Sequence, residues 1–270
     1  MTDQAPVVCE QCGLDDGARA ALVRLNRPEQ LNPIDATTLR ALDAILDDIL
    51  ADPGIRVILV TGAGRAFSAG GDLKSYISLQ RDPVMFPRFL EDLHRIFGRL
   101  RTAPVPVIAL VNGVTAAGGL ELILNCDFAL AARTARIGDG HLNFGQMGGG
   151  GVLTLLPRAI GRARAAELLF TGRFLDAAEA AEWGLVNRVV DDDALLPEGL
   201  ALASDIAAKS RLALSNAKEV LDAVWADNGS VESGLRTERE RDAFYCLTAD
   251  DAREGLAAFA EKRPPRFTGR

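Results

Sequence analysis

Several classes of protein are excluded by what the sequence has little of. No apolar run in its 270 residues approaches the roughly 18 to 20 needed to cross a bilayer, and the best stretch, residues 105–111, is short and contains Pro106. Basic residues number 30 against 37 acidic ones, and a net charge of −7 argues against nucleic acid as the main partner. The N-terminus has neither a basic region nor a long apolar one, so we expect no secretory signal and a cytoplasmic, reducing location.

Cysteine and histidine are also scarce. The four cysteines include one C-x-x-C, formed by Cys9 and Cys12, while Cys126 and Cys246 stand alone. A structural zinc site takes about four ligands, so we expect no metal and four free thiols. The simpler interpretation of Cys9 and Cys12 is a strand, because two apolar runs separated by turn residues predict a hairpin over residues 7–25.

What remains is the composition of an ordinary globular chain, with 48% hydrophobic and 25% charged residues. Short β-rich runs alternate with helical patterns along most of the chain. Helices are expected over residues 36–51, with Asp35 as the N-cap, and 86–100, and buried strands over residues 55–60, 105–111, 128–132 and 186–190. This alternation predicts an α/β core.

The pattern changes near residue 193. From 194 to 262 it is helical, with breaks near Ser210, Asn228–Gly229 and Thr248. We therefore predict an α/β core over residues 1–193 and a helical region over residues 194–270, without a low-complexity linker between them or an internal repeat. The last ten residues carry four basic side chains and one acidic one, which indicates either a solvated end or a contact for an anionic ligand.

Two glycine-rich turns indicate where a reaction site is expected. Residues 68–74 and 115–121 each follow a strand-like run and lead into a helix. The first N–H groups of a helix lack intrahelical partners, and glycine lets a ligand approach the backbone closely. Two such groups converging on one carbonyl oxygen would stabilise an enolate or tetrahedral intermediate by about 3 to 4 kcal/mol per donor. Each turn taken alone is better explained by tight helix–strand packing, so the prediction depends on the two together.

Glu121 adds a titratable group to the second turn. It lies one helical turn after Gly118, in a segment that is otherwise apolar from 120 to 124. A desolvated carboxyl has a raised pKa and would suit a general acid or base near neutral pH. The alternative is a buried Glu121 paired with an arginine such as Arg133 or Arg136.

These residues resemble the crotonase superfamily, that is, the enoyl-CoA hydratase/isomerase family, over nearly the whole chain. The resemblance rests on ordered motifs: LNRPEQLN at 25–32, FSAGGDLK at 67–74, PVIALVNG at 106–113, TGR at 171–173, GLV at 184–186 and FAEKR at 259–263. It implies a spiral of ββα units with a C-terminal helical trimerisation region, assembled as trimers or dimers of trimers.

The same resemblance implies an acyl-CoA thioester as the ligand, with CoA entering as part of the substrate and no separate cofactor. Its carbonyl would lie in an oxyanion hole made by the N–H groups of Gly71 and Gly118. CoA would lie along residues 27–31 and 69–74. The residues expected to contact it are Arg27, Gln30, Leu31, Ala69 and Lys74, together with Lys262 of a neighbouring subunit. Lys74 and Lys262 are also compatible with solvated surface charges.

The catalytic pair departs from the pattern of the family. A typical hydratase of this family uses two glutamates, of which one corresponds to Glu121. By spacing from Phe144–Gly145, the second falls on His141. Histidine can still transfer a proton, since its ordinary pKa is about 6.5, and Asp139 lies two residues away, where it can orient or charge the ring.

Three hypotheses about function follow. The first is an enoyl-CoA hydratase, a hydro-lyase that forms a thioester enolate with Glu121 and His141. The second keeps the oxyanion hole but performs double-bond isomerisation, carbon–carbon bond hydrolysis or decarboxylation. The third is a non-catalytic acyl-CoA or protein-binding scaffold, for which Glu121→Gln would leave function unchanged. The acyl pocket is expected from residues 75–88, residues near Gly148 and the C-terminal region.

Two further glycine motifs do not fit nucleotide binding. Gly62-x-Gly64 is followed by Phe67 where the dinucleotide fingerprint has its third glycine. The run from Gly148 to Gly151 lacks the Lys-Ser/Thr of a phosphate-binding P-loop.

Overall fold

Ten strands form two sheets in the computed structural model, which describes residues 5–226 and 231–270. The larger sheet has the spatial order β1 (Val7–Gly13), β2 (Arg19–Leu25), β3 (Ile55–Gly62), β5 (Val107–Val111), β7 (Phe128–Ala132) and β10 (Arg188–Val190). The smaller sheet has the order β4 (Ala66–Ser68), β6 (Val114–Thr115), β8 (Arg136–Gly138) and β9 (Phe174–Asp176). Only the β1–β2 and β8–β9 pairs of these described strands are antiparallel.

The α-helices lie between and after these strands. In chain order they are α1 (Ala36–Ala51), α2 (Leu73–Leu79), α3 (Met85–Arg101), α4 (Gly118–Ile123), α5 (Val152–Ile160), α6 (Arg162–Thr171), α7 (Ala177–Glu182), α8 (Leu195–Ala207), α9 (Arg211–Ala226), α10 (Val231–Thr248) and α11 (Asp250–Glu261).

From β3 to β8, consecutive strands alternate between the two sheets. Each of β3, β5 and β7 joins the larger sheet and is followed by a strand of the smaller one, β4, β6 or β8, and then by helical residues. This repeat has the strand–strand–helix order of the predicted ββα spiral. Because β4 and β6 are parallel neighbours, the turns that follow them leave the same edge of the smaller sheet.

The central strands β3, β5 and β7 of the larger sheet are buried on both faces, which explains their nearly continuous apolar sequences. In β3, Ile58 and Val60 pack into a core with α1 and α3, whereas Val57 and Leu59 pack into a second core with α8. The alternation follows from the two-residue period of a strand. The sheet thereby fixes the positions of the short strands and turns that leave its end.

The predicted elements of the core are confirmed, with differences at their ends. Helix α1 covers the predicted residues, and the carboxylate of Asp35 accepts hydrogen bonds from the amides of Thr37 and Thr38. The strand predicted over 105–111 begins at Val107, because Pro106 has no N–H to donate to a neighbouring strand. Cys9 and Cys12 lie in β1, as the hairpin predicts.

The described chain after β10 is mainly helical as far as Glu261. The predicted breaks near Ser210 and Thr248 are confirmed, since helices begin just after them at Arg211 and Asp250. The predicted break at Asn228–Gly229 lies outside the described residues. Within residues 5–226 and 231–270, none of the helices combines the length and the apolar character that crossing a bilayer requires.

Candidate active site

The two predicted turns lie against each other. The amide of Ala116 donates to the carbonyl of Ser68 at 2.9 Å, which joins the end of β4 to the segment after β6. A Cβ added to Gly70 would lie 2.7 Å from Cβ of Ala117 and 3.4 Å from the nitrogen of Gly118. Glycine at position 70, which also has a φ of +96°, therefore permits the close approach of the two turns.

Gly71 and Gly118 both line one small cavity of about 40 Å³. Among the described residues, no protein acceptor receives a hydrogen bond from the amide of either glycine. The cavity is completed by apolar side chains, two titratable ones and a further glycine: Ile34, Tyr76, Phe89, Leu90, Leu93, Glu121, His141 and Gly149. Two amides available to one cavity are what an oxyanion hole requires.

Ala117 holds a strained conformation immediately before Gly118. Its φ of 48° and ψ of −117° lie where a side chain is disfavoured. Its amide donates to the carbonyl of Asp139 at 2.8 Å, and its carbonyl accepts from the amide of Glu121 at 3.0 Å. These two hydrogen bonds fix the orientation of the peptide groups that precede α4.

Relieving this strain should stabilise the protein. We expect Ala117→Gly to raise the free energy of unfolding by about 1 kcal/mol, because glycine tolerates a positive φ and the gain exceeds its greater entropy in the unfolded chain. The matched control, Ala116→Gly, should lower it by about 0.5 to 1 kcal/mol, since Ala116 has no positive φ. Denaturant titration of both variants checks this. A destabilised Ala117→Gly protein would show that the strain is absent.

Glu121 is almost completely buried, with 2% of its surface exposed. Its Oε1 accepts a hydrogen bond from the amide of Gly150 at 2.7 Å and a longer one from Val152 at 3.4 Å. Burial raises the pKa of Glu121, while the charge of His141 and the two amide hydrogen bonds oppose the shift. No arginine of the described residues pairs with Glu121, and Arg133 instead pairs with Asp191 at 2.8 Å.

Gly150 lets the backbone reach this carboxyl. A Cβ at position 150 would lie 2.5 Å from Oε2 of Glu121, closer than real Cβ contacts. The glycine run that lacks a P-loop lysine therefore supplies a hydrogen-bond donor to a carboxyl. With Oε1 engaged, Oε2 is the oxygen left for proton exchange.

Asp139 holds His141 from two sides. Its Oδ1 lies 2.7 Å from Nδ1 of the ring, and its Oδ2 accepts from the backbone amide of His141 at 3.2 Å. Asp139 itself is 1% exposed. This contact assigns the ring proton to Nδ1 and leaves Nε2 for other partners. Burial opposes the charged imidazolium, but the hydrogen bond and charge of Asp139, with the charge of Glu121, raise the pKa of His141.

The segments expected to hold CoA are adjacent to these turns. The amide of Ala69 donates to the carbonyl of Leu31 at 2.9 Å, which joins them directly. Arg27 bonds to Asp35 and Gln30, so its guanidinium is held near the same segment.

The two lysines expected to meet CoA lie in a helix and directly after one. Lys74 belongs to α2, and its side chain lies outside what the structure describes. Lys262 follows α11 with a φ of 55° and is not among the described residues that line the cavity. Its predicted role concerns a neighbouring subunit and stays a prediction.

Sequence reasoning missed individual residues around the cavity. Tyr76 and Gly149 lie in or beside the segments expected to form the acyl pocket, but neither was identified as a site residue. Ile34 and the α3 residues Phe89, Leu90 and Leu93 were recognisable only as apolar helix or loop residues. In the described part of the chain, no group of three His, Cys, Asp or Glu residues could hold a metal ion.

The fold and the site together define a class of enzyme. Two sheets and their crossing helices place two available backbone amides beside a buried carboxyl and an imidazole, an arrangement that can stabilise an oxyanion while a proton moves. The model of the family described as enoyl-CoA hydratase/isomerase matches residues 16–270, and the chain belongs to this family of enzymes.

Individual relatives agree with this assignment and with the predicted crotonase fold. A Mycobacterium leprae protein named "Probable enoyl-CoA hydratase" is 39% identical over 260 residues, or 95% of this chain and 97% of the relative. An Escherichia coli protein named "1,2-epoxyphenylacetyl-CoA isomerase" is 37% identical over 91% of this chain and 94% of its own. A crystal structure of an enoyl-CoA hydratase from Bacillus anthracis superposes with a TM-score of 0.91 at 33% identity, covering 98% of this chain and all of that one.

Proposed function

We propose that the protein adds water across the α,β double bond of an enoyl-CoA and so forms a 3-hydroxyacyl-CoA. The observation that carries the proposal is the small cavity in which Glu121 and His141 meet the two amides that have no acceptor in the described chain. The names of the hydratase relatives support the same reaction.

The thioester carbonyl would bind at the amides of Gly71 and Gly118. As the oxygen of water bonds to Cβ, the electrons of the double bond move into the thioester, and its oxygen takes the negative charge. The two N–H groups stabilise this enolate more strongly than the neutral ground-state carbonyl, which is the condition for accelerating the reaction. Collapse of the enolate places a proton on Cα.

Glu121 and His141 would carry out the two proton transfers. One of them accepts the proton that water loses at Cβ, and the other supplies the proton that Cα gains, so the pair ends with its original number of protons. The upward shift of the Glu121 pKa makes its protonated form available closer to neutral pH. The raised pKa of His141 keeps the imidazolium present to higher pH than usual.

A second candidate function forms the same enolate but converts it to a different product. His141 stands where the family pattern predicts a second glutamate, and one similar protein carries the name of a CoA-ester isomerase. Double-bond isomerisation, carbon–carbon bond hydrolysis or decarboxylation would use the same two amides. These reactions give different products from hydration.

A panel of CoA esters separates these reactions. We expect purified protein to convert a short 2-enoyl-CoA to a product heavier by one water, with loss of the conjugated enoyl absorbance, because all groups that hydration needs line one cavity. The panel also contains dienoyl-CoA and β-keto-acyl-CoA esters, analysed by mass. A product of unchanged mass with a moved double bond, release of CO₂, or cleavage of a β-keto ester without enoyl-CoA hydration would replace the proposal.

The proposal also covers the cofactor requirement, the metabolic role and the location of the enzyme. We propose that CoA enters as part of the substrate, that no separate cofactor is used, and that the enzyme acts in fatty acid metabolism in the cytoplasm. Assembly as a trimer or dimer of trimers is supported by apolar side chains of α10 and α11 that expose more than half of their surface. These are Leu235, Phe244, Leu247, Leu256 and Phe259.

A further inference from the structure

Tyr76 is a third polar side chain of the cavity, beside Glu121 and His141. It lies in α2, five residues after Gly71, and lines the same cavity as Glu121 and His141. Its ring packs edge-on against Phe86 and Phe89, at centroid distances of 5.5 and 6.3 Å. Such contacts stabilise one orientation of the ring and therefore restrict the position of its hydroxyl group.

The hydroxyl of Tyr76 has no hydrogen-bond partner among the residues that the structure describes. Tyr76 is half-buried and its hydroxyl is not among the buried unpaired atoms of the described residues, so it can pair with solvent or with a molecule that binds in the cavity. Burial, and then the charge of Glu121, raise the pKa of Tyr76. The group therefore remains a hydrogen-bond donor across the pH range in which Glu121 and His141 work.

We propose that Tyr76 is a further catalytic residue, whose hydroxyl donates a hydrogen bond to the oxygen attached to Cβ of the acyl group. The proposal rests on the proposed hydration, since that reaction places an oxygen at Cβ. It adds a third polar group to the carboxyl and imidazole already identified.

The small size of the cavity limits which substrate atoms can meet this hydroxyl. A volume of about 40 Å³ has room for on the order of three water molecules. Cα and Cβ lie one and two bonds from the thioester carbon, which is fixed by the oxygen held at Gly71 and Gly118. An oxygen on Cβ would then lie among the groups that line the cavity. Glu121, His141 and Tyr76 are three of these groups, and Tyr76 belongs to α2.

A single-atom change tests the hydroxyl. Tyr76→Phe keeps the ring and its contacts with Phe86 and Phe89 and removes only the oxygen. We expect kcat for hydration of a short enoyl-CoA to fall about tenfold or more, with a smaller change in KM. The chain contains one other tyrosine, Tyr245 in α10, outside this cavity. Tyr245→Phe is the matched control and should leave both constants unchanged.

A pair of ligands tests the contact without turnover. Calorimetry compares 3-hydroxybutyryl-CoA with butyryl-CoA, which lacks only the oxygen at Cβ. Tyr76→Phe should weaken binding of the hydroxy ester about five- to tenfold and leave the saturated ester unchanged. Equal effects on both esters, or no effect on either, would overturn the proposal. If the wild-type protein hydrates no ester but the ligand-specific loss is observed, the proposed function fails while the contact of Tyr76 stands.

Discussion

Replacing Glu121 by glutamine is expected to lower turnover by about 100-fold or more while binding of the CoA ester changes little. The carboxyl lies beside the amides of Gly71 and Gly118 in the same cavity. Glutamine keeps an oxygen to accept from the amide of Gly150, as Oε1 does now at 2.7 Å. It replaces Oε2 with an amide nitrogen, which cannot exchange a proton at neutral pH. Initial rates with a short enoyl-CoA and calorimetry with a saturated CoA ester measure the two effects.

A measurement of stability separates a loss of catalysis in Glu121→Gln from a loss of folding. The pKa of Glu121 is raised in the folded state, so its contribution to stability is present at low pH and is lost as pH rises through that value. At a pH above the pKa of Glu121, the buried carboxylate opposes folding. Glu121→Gln should therefore be at least as stable as wild type at pH 8. Glu91→Gln, an exposed change in α3, is the control. Turnover near the wild-type rate would remove Glu121 from the mechanism.

The sequence was sufficient to predict the parts of the fold that depend on local periodicity. Helix α1 has apolar residues at helical spacing and an N-cap whose side chain makes the expected contacts. Strands buried on both faces, such as β3, appear as continuous apolar runs. The short strands β4, β6, β8 and β9 were not predicted, because two or three residues are too few to show a period.

The site could be predicted from the sequence where residues that act together lie in one short segment. Gly118 and Glu121 are three residues apart, so one helical turn brings them to the same cavity. Asp139 and His141 are two residues apart and make their hydrogen bonds within one turn. Gly150 and Tyr76 could not be assigned in this way. Their contacts depend on how distant segments pack, and no spacing in the sequence encodes that packing.

His141→Ala is expected to cost about 100-fold in turnover and to remove one limb of the pH–rate profile. The imidazole lines the cavity with Glu121, and its Nδ1 is held by Asp139 at 2.7 Å, which leaves Nε2 for a proton transfer. Alanine removes the group that titrates and leaves the backbone hydrogen bond to Asp139 possible. Rates with saturating and limiting enoyl-CoA across pH measure this change. The other histidine, His94, is exposed in α3, and His94→Ala serves as the control.

Asp139→Asn separates a catalytic from a structural role of His141. The hydrogen bond and charge of Asp139 raise the pKa of His141 against the effect of burial. Removing that charge lowers the pKa, so the limb due to His141 must move to lower pH. If His141 acts as the base, this is the acidic limb and the active range widens; if it acts as the acid, the alkaline limb moves and the range narrows. The direction of the change in range therefore identifies which proton His141 transfers, and an unchanged profile in both variants would assign it a structural role.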